Sequence, residues 1–255
     1  MYNYCMSRET KNTEQDIEKR YADFISTVSH ELRTPLTSIM GFADTLLTSS
    51  EQLSKEQQKK FLQIIKDQSK RLINMVENLL VVSKLQNSNE KLVFKSINPN
   101  DLIIKIIQLV KIQFSSHNFI TVLTSNIPEI LVDTDKFQQI ILNLLENAVK
   151  YSDEGSNITI KTCFDEKNVY IKIMDEGIGI SDENKHRIFD KFTRLDTPLT
   201  RKTQGSGLGL YIVKQIVENM DGKVSITDNQ PKGSCFTLEF NQSQFQSQTE
   251  KKLRG

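Results

Sequence analysis

The feature that most restricts the fold is a change of hydrophobic period about a third of the way along the chain. From about Glu14 to Thr48, apolar residues fall at Ile25, Val28, Leu32, Leu36, Ile39, Phe42 and Leu46. Steps of three and four put one apolar stripe along a helix. After "LTSSEQLS" the stripe resumes at Phe61, Ile65, Leu72, Met75, Leu79 and Val82, behind a capping-box pair, Ser54 and Gln57. Each helix would run about 45–50 Å at roughly 1.5 Å per residue. One such pair leaves half its apolar surface wet, so two copies forming a four-helix bundle are the economical arrangement. Residues 14–88 are expected to be a helical hairpin built to form a homodimer, behind a flexible N-terminus of residues 1–13.

Beyond "QNSNE" the pattern becomes short, β-rich and partly alternating: "KLVFKSI", "NITIKTCF", "NVYIKIMD", "KVSITD" and "SCFTLEF" read as strands. Between them lie helical stretches, "NPNDLIIKIIQLVKI" with Pro99 in its first turn, "TDKFQQIILNLLENAVKY" and "GLGLYIVKQIVENM". That mixture predicts an α/β sandwich with helices on one face over residues 89–242, then a polar, loose tail from 243 to 255. The fold class is therefore α plus α/β.

Composition removes several function classes. A net charge of +1 provides no field for nucleic acid or an anionic membrane. The longest apolar run, "LIIKIIQLVKI", is broken by lysines, so no membrane segment is expected. With no secretory signal, a cytoplasmic location follows. The many Lys, Asn and Ile residues point to an AT-rich genome, bacterial or plastid, which keeps the plastid stroma open. Cys5, Cys163 and Cys235 are odd in number and far apart, and read as ordinary thiols. His117 and His186 lack partners at metal-ligand spacing and read as surface residues.

The third histidine differs. In "FISTVSHELRTPL", with Ile25 at heptad position a, His30 falls at f, farthest from the seam. Thr34 lies four residues on, beside it, and Glu31 is its neighbour. A neutral imidazole is a competent nucleophile near pH 7, and an adjacent carboxylate can take its second proton. Pro35 deprives the Glu31 carbonyl of its helical partner, a defect of about 3 kcal/mol placed next to the nucleophile.

Three clusters in the second half could supply a phosphate donor. In "NLLENAVKY", Asn143, Asn147 and Lys150 share one helix face, and amide oxygens suit a Mg²⁺ already bound to phosphates. Lys150 would add charge there, and Tyr151 could pack on a purine or ribose. In "DEGIGI", Asp175 ends an apolar strand and could accept from an exocyclic amine, while Gly177 and Gly179 let the backbone approach a flat ligand. In "GSGLGLYIVKQIV", Gly205, Gly207 and Gly209 precede a helix N-terminus that would face an anion. The spacing is neither a dinucleotide fingerprint nor a Walker A loop. Between the last two clusters lies a lid-length polar stretch with Phe189, Phe192, Lys191, Arg194, Arg201 and Lys202, of which Arg194 is the candidate for the terminal phosphate.

"SHELRTPL" resembles the phosphoacceptor box of bacterial-type sensor histidine kinases, and the three clusters with the lid resemble their N, G1, F and G2 boxes. The resemblance extends through nearly the whole chain, and "KGSCFTLEF", with Gly233 and Thr237, resembles the closing strand pair of that ATPase superfamily, shared with gyrase and Hsp90. It implies that His30 is phosphorylated, that Glu31 accepts its proton, and that Thr34 orients the water of a reverse phosphatase reaction. It implies ATP and Mg²⁺ as cofactors, held by Asn143, Asn147, Lys150, Tyr151, Asp175, Gly177, Gly179, Gly205, Gly207, Leu208 and Gly209. It also implies a response regulator receiver domain as partner, and an upstream sensor domain or partner missing from the chain. Hydrolytic members of the superfamily place a glutamate where this chain has Asn143, and an amide cannot act as a base. The rivals are an ATP-driven clamp ATPase of the same superfamily and a non-catalytic dimeric module that binds a regulator.

Overall fold

The structure, a computed structural model, describes residues 2–86, 92–191, 193 and 207–242, and the side chains of residues 2–24, 27, 50, 85 and 86 lie outside that description. It divides into two compact units, Met1–Leu80 and Val81–Gly255.

The first unit is the expected hairpin. Helix α1 spans Tyr2–Ser49 and helix α2 spans Lys55–Gln86, joined by a 3₁₀ turn at Ser50–Gln52. α1 begins ahead of the Glu14 start read from the sequence, because neither Pro nor Gly interrupts the segment before it. Ser54 and Gln57 form the capping box reciprocally: the Ser54 N–H donates to Gln57 Oε1 at 2.9 Å and the Gln57 N–H to Ser54 Oγ at 3.1 Å. Across the hairpin the rings of Phe42 and Phe61 meet with centroids 5.0 Å apart. α1 continues through Pro35, whose ring is buried.

In the second unit, strands β1 (Phe94–Ile97) and β3 (Ile130–Asp133) form a small antiparallel pair. The main sheet has order β2-β4-β5-β7-β6, with β2 Asn118–Val122, β4 Asn157–Phe164, β5 Asn168–Asp175, β6 Lys223–Asp228 and β7 Ser234–Asn241. Only β2 and β4 run parallel; the other neighbours are antiparallel. Helix α3 (Pro99–Gln113) starts on an Asn98 cap, with Pro99 in its first turn. Helix α4 (Thr134–Lys150) starts on Asp133, whose carboxylate accepts from the N–H groups of Asp135 and Lys136. A short α5 covers Asp182–Lys185, and α6 covers Gly209–Asn219.

Periodicity explains the layers. α4 buries Phe137, Ile140, Ile141, Leu144, Leu145 and Ala148, one continuous stripe, and packs against α3, α6 and β5. On β5 the alternation buries Val169, Ile171, Ile173 and Asp175. A carboxylate thus ends a row of core side chains. The buried Thr162 on β4 is satisfied by Asn100 of α3 and by Thr124, which ties the start of α3 to the sheet.

Strands β2 and β3 and helix α5 were not expected from the sequence. His117 also differs from the surface reading: Ser116 Oγ lies 3.0 Å from its Nδ1, while its Nε2 is buried. The cause is local, because the turn carrying it is closed by a neighbouring loop, the Gly155 N–H donating to the Ser116 carbonyl at 2.7 Å.

Candidate functional site

The first candidate region lies on α1. His30 is exposed, as position f predicts. One turn on, Thr34 Oγ1 donates to the His30 carbonyl at 3.2 Å, which holds the hydroxyl on the same flank. Glu31 is half-buried, and its Oε2 accepts from Arg71 Nη2 of α2 at 3.1 Å. Arg71 was absent from the sequence reading. The signal for it was its position immediately before the seam residue Leu72, where charges pair between helices.

The second candidate region is a cavity in the α/β unit, lined by Asn147, Tyr151, Asp175, Gly179, Leu210, Ser234 and Phe236 among others. Asp175 is 5% exposed, and both of its side-chain hydrogen bonds fall on Oδ1, from the Gly177 N–H at 2.9 Å and the Ser234 N–H at 3.1 Å. Oδ2 is left as an acceptor at the cavity wall. Burial pushes the Asp175 carboxyl above the usual aspartate range, and the two N–H bonds pull it partly back. An outward-facing acceptor in an apolar slot suits the amino group of an adenine.

Two glycines make this arrangement possible. A Cβ on Gly177 would lie 2.3 Å from the Tyr151 carbonyl oxygen. Gly233, at φ +108°, brings the start of β7 so close that its Cβ would lie 1.9 Å from the Asp175 carbonyl oxygen. Asn229 Nδ2 caps that same carbonyl at 2.9 Å.

One turn before Asn147 on α4, Asn143 Nδ2 donates to the Gln139 carbonyl at 3.0 Å, which turns Oδ1 away from its own helix. That oxygen faces the first turn of α6, where a Cβ on Gly209 would approach it to 3.3 Å. Gly207 and Leu208 lead into this turn, with Leu208 buried. The Lys150 ammonium sits over the Tyr151 ring at 4.8 Å. Phe189 packs against Phe236, edge to face with centroids 6.5 Å apart. Lys191 follows, 5.0 Å above the Tyr211 ring, its pKa lowered by burial. Phe192, Arg194, Arg201, Lys202 and Gly205 lie outside the described residues.

The structure therefore gathers Asn147, Tyr151, Asp175 and Gly179 around one cavity and sets Asn143 against Gly209 beside it. Sequence reading missed Ser234, which acts through its backbone N–H, and the apolar lining of Ile178, Ile180 and Ile188.

An exposed histidine on a helical hairpin and a cavity walled by a buried aspartate in an α/β unit fit a phosphoacceptor domain and an ATPase-type domain. Two family models match accordingly: the His Kinase A (phospho-acceptor) domain over residues 20–88 and the histidine kinase-, DNA gyrase B- and HSP90-like ATPase over residues 132–244. The chain belongs to the sensor histidine kinases. It is 32% identical to the sensor histidine kinase WalK of Bacillus subtilis, over 92% of this chain and 39% of that protein. It is 30% identical to the sensor protein KdpD of Clostridium acetobutylicum, over 92% of this chain and 26% of that protein. The chain thus spans well under half the length of these relatives. Among solved structures, the Acinetobacter baumannii histidine kinase AdeS is similar with a TM-score of 0.66 at 25% identity, covering 84% of this chain and 98% of that one. ShkA in complex with AMPPNP matches with a TM-score of 0.63 at 26% identity, covering 84% of this chain and 44% of that one. Among the described residues no helix is long and apolar enough to cross a membrane.

Proposed function

We propose that the chain is the autophosphorylating core of a two-component kinase, which transfers the terminal phosphoryl group of ATP to a ring nitrogen of His30. The new P–N bond forms as the P–O bond to ADP breaks, and the proton of the other ring nitrogen passes to Glu31. Positioning and charge neutralisation supply most of the catalysis, as is general for phosphoryl transfer. Asp175 and the Tyr151 ring take the adenine. Lys150, the α6 N-terminus behind Gly205, Gly207, Leu208 and Gly209, and Arg194 take the phosphates.

Asn143 and Asn147 are the residues that would hold Mg²⁺. The outward-turned, neutral Oδ1 of Asn143 fits a hard cation. Among the described residues no cluster of three His, Cys, Asp or Glu could hold a metal, so the nucleotide's own phosphates would complete the ligand set. When bound, the ion neutralises phosphate charge.

The hairpin pairs with a second copy through Leu36, Met40, Ile73, Val76 and Leu80, all of them largely exposed in one chain. An aspartate on a response regulator receiver domain then takes the phosphoryl group from His30. Thr34, hydrogen-bonded beside His30, orients the water of the reverse reaction. Thr34→Ala is expected to slow regulator dephosphorylation about tenfold while sparing autophosphorylation. Equal dephosphorylation rates would remove that role.

The observation that carries the reading is that one chain has both an exposed His30 and a cavity lined by Asp175, whose two hydrogen bonds fall on Oδ1 and leave Oδ2 as an acceptor. Incubation with γ-labelled ATP tests it. The chain should gain acid-labile, alkali-stable label that His30→Gln abolishes while nucleotide binding persists. Steady phosphate release indifferent to His30→Gln would identify a clamp ATPase instead.

A further inference from the structure

We infer that Arg71 is a positioning residue that holds the Glu31 carboxylate for its proton transfer; the inference rests on the proposed transfer to His30. The register of the hairpin makes the contact specific. Glu31 precedes the seam residue Leu32 and Arg71 precedes the seam residue Leu72, so both occupy heptad position g. In an antiparallel pair these flanking positions face each other across the seam. The alignment that seats Phe42 against Phe61 is the one that brings Arg71 Nη2 to 3.1 Å from Glu31 Oε2.

Both side chains are largely withdrawn from water, 20% and 24% exposed, so the attraction is less screened than on an open surface. A glutamate has three side-chain torsions, and an unanchored one spends most of its time pointing away from any given neighbour. Pinning Oε2 to the adjoining helix confines the carboxylate to one side of the next-door imidazole, which raises its effective concentration at the ring. The guanidinium is also suited to the task because it does not surrender its own proton. Its charge persists while Glu31 takes up and releases one. Arg71 makes and breaks no bond in the transfer.

A charge pair at these positions could instead serve only to lock the two helices in register, and a double-mutant cycle separates the two roles. The full chain is incubated with γ-labelled ATP, and initial rates of His30-dependent labelling are compared for the wild type, Arg71→Ala, Arg71→Lys, Glu31→Gln and the Arg71→Ala/Glu31→Gln double variant. Arg71→Gln replaces Arg71→Ala if circular dichroism shows the latter misfolded. The expected result is a maximal rate about tenfold lower in Arg71→Ala, with KM for ATP changed less than about twofold and substantial recovery in Arg71→Lys, whose single ammonium can make the same one-point contact. In the Glu31→Gln background the arginine substitution should add less than about twofold. A wild-type rate in Arg71→Ala overturns the inference. So does an undiminished tenfold loss in the Glu31→Gln background, which assigns Arg71 to hairpin stability alone. A wild type that gains no His30-dependent label removes the proposed transfer and this inference together, whereas the other two outcomes leave the transfer standing.

Discussion

The two units of this chain close their cores to different degrees. In the α/β unit, Ile103, Phe137, Ile140, Leu144, Ile160 and Ile171 are fully enclosed. In the hairpin, Met75 is buried but Met40 stands 58% exposed, Ile73 57% and Leu80 56%. Ile73, Val76 and Leu80 recur at helical spacing on an exposed face of α2, distinct from the seam that holds Met75. A contiguous apolar face of that kind marks an interface. One unit encloses its core within a single chain, whereas the other leaves apolar side chains for the second copy proposed above. Lesions in the two should therefore part cleanly: one set acts on pairing, the other on nucleotide.

The largest expected effect breaks the pairing side. Met40→Glu puts a carboxylate into the bundle twice, once per copy, which is expected to weaken dimerisation about a thousandfold, on the order of 4 kcal/mol. Sedimentation equilibrium measures it, and nucleotide affinity should not change. Wild-type dimerisation in the variant would show that this face is not the interface.

The next effect acts only on the other side. Asp175→Asn still lets Oδ1 accept from Gly177 and Ser234, but turns an N–H₂ toward the purine amine. Donor against donor should lower ATP affinity about a hundredfold, roughly 2.7 kcal/mol, by calorimetry, with the dimer intact. An affinity within threefold of the wild type would deny Asp175 its role.

The smallest is a pH effect that sharpens the same contrast. Because burial raises the Asp175 pKa, ATP affinity should begin to fall on acidification at a higher pH than an ordinary aspartate would give. The loss reaches about twofold at that pKa and should vanish in Asp175→Asn. The linkage to stability has the opposite sense. A carboxyl whose folded pKa is raised favours the fold most below its unfolded pKa, and that margin is lost as pH rises through the folded pKa. At pH 7 the ligand-free Asp175→Asn α/β unit should therefore melt above the wild type, while the hairpin is unaffected.

Legibility in the sequence followed the same division. Strands β4, β5 and β6 and helix α4 could be bounded closely because their side chains alternate or stripe against one core. β2 was missed because in "NFITV" only Phe119 is buried, and an edge strand with exposed Ile120 and Val122 has no clear inward row. β3 is four residues long, too short for its period to show. In the site, Asn143, Asn147, Tyr151 and Asp175 were legible as side chains with chemistry. Ser234 was not, because what it offers is a backbone N–H placed by the close approach of Gly233. Arg71 became legible only once the helices were aligned and its partner across the seam could be named.

The position of Asp175 at the end of the row Val169, Ile171, Ile173 has one further consequence. Sliding β5 by a single residue against β7 would turn the whole row over, taking the carboxylate out of the slot and three aliphatic side chains into the opposite layer. A mispaired sheet thus loses the carboxylate of its cavity and its core in the same stroke. The polar wall of the cavity is proofread by the apolar row beside it.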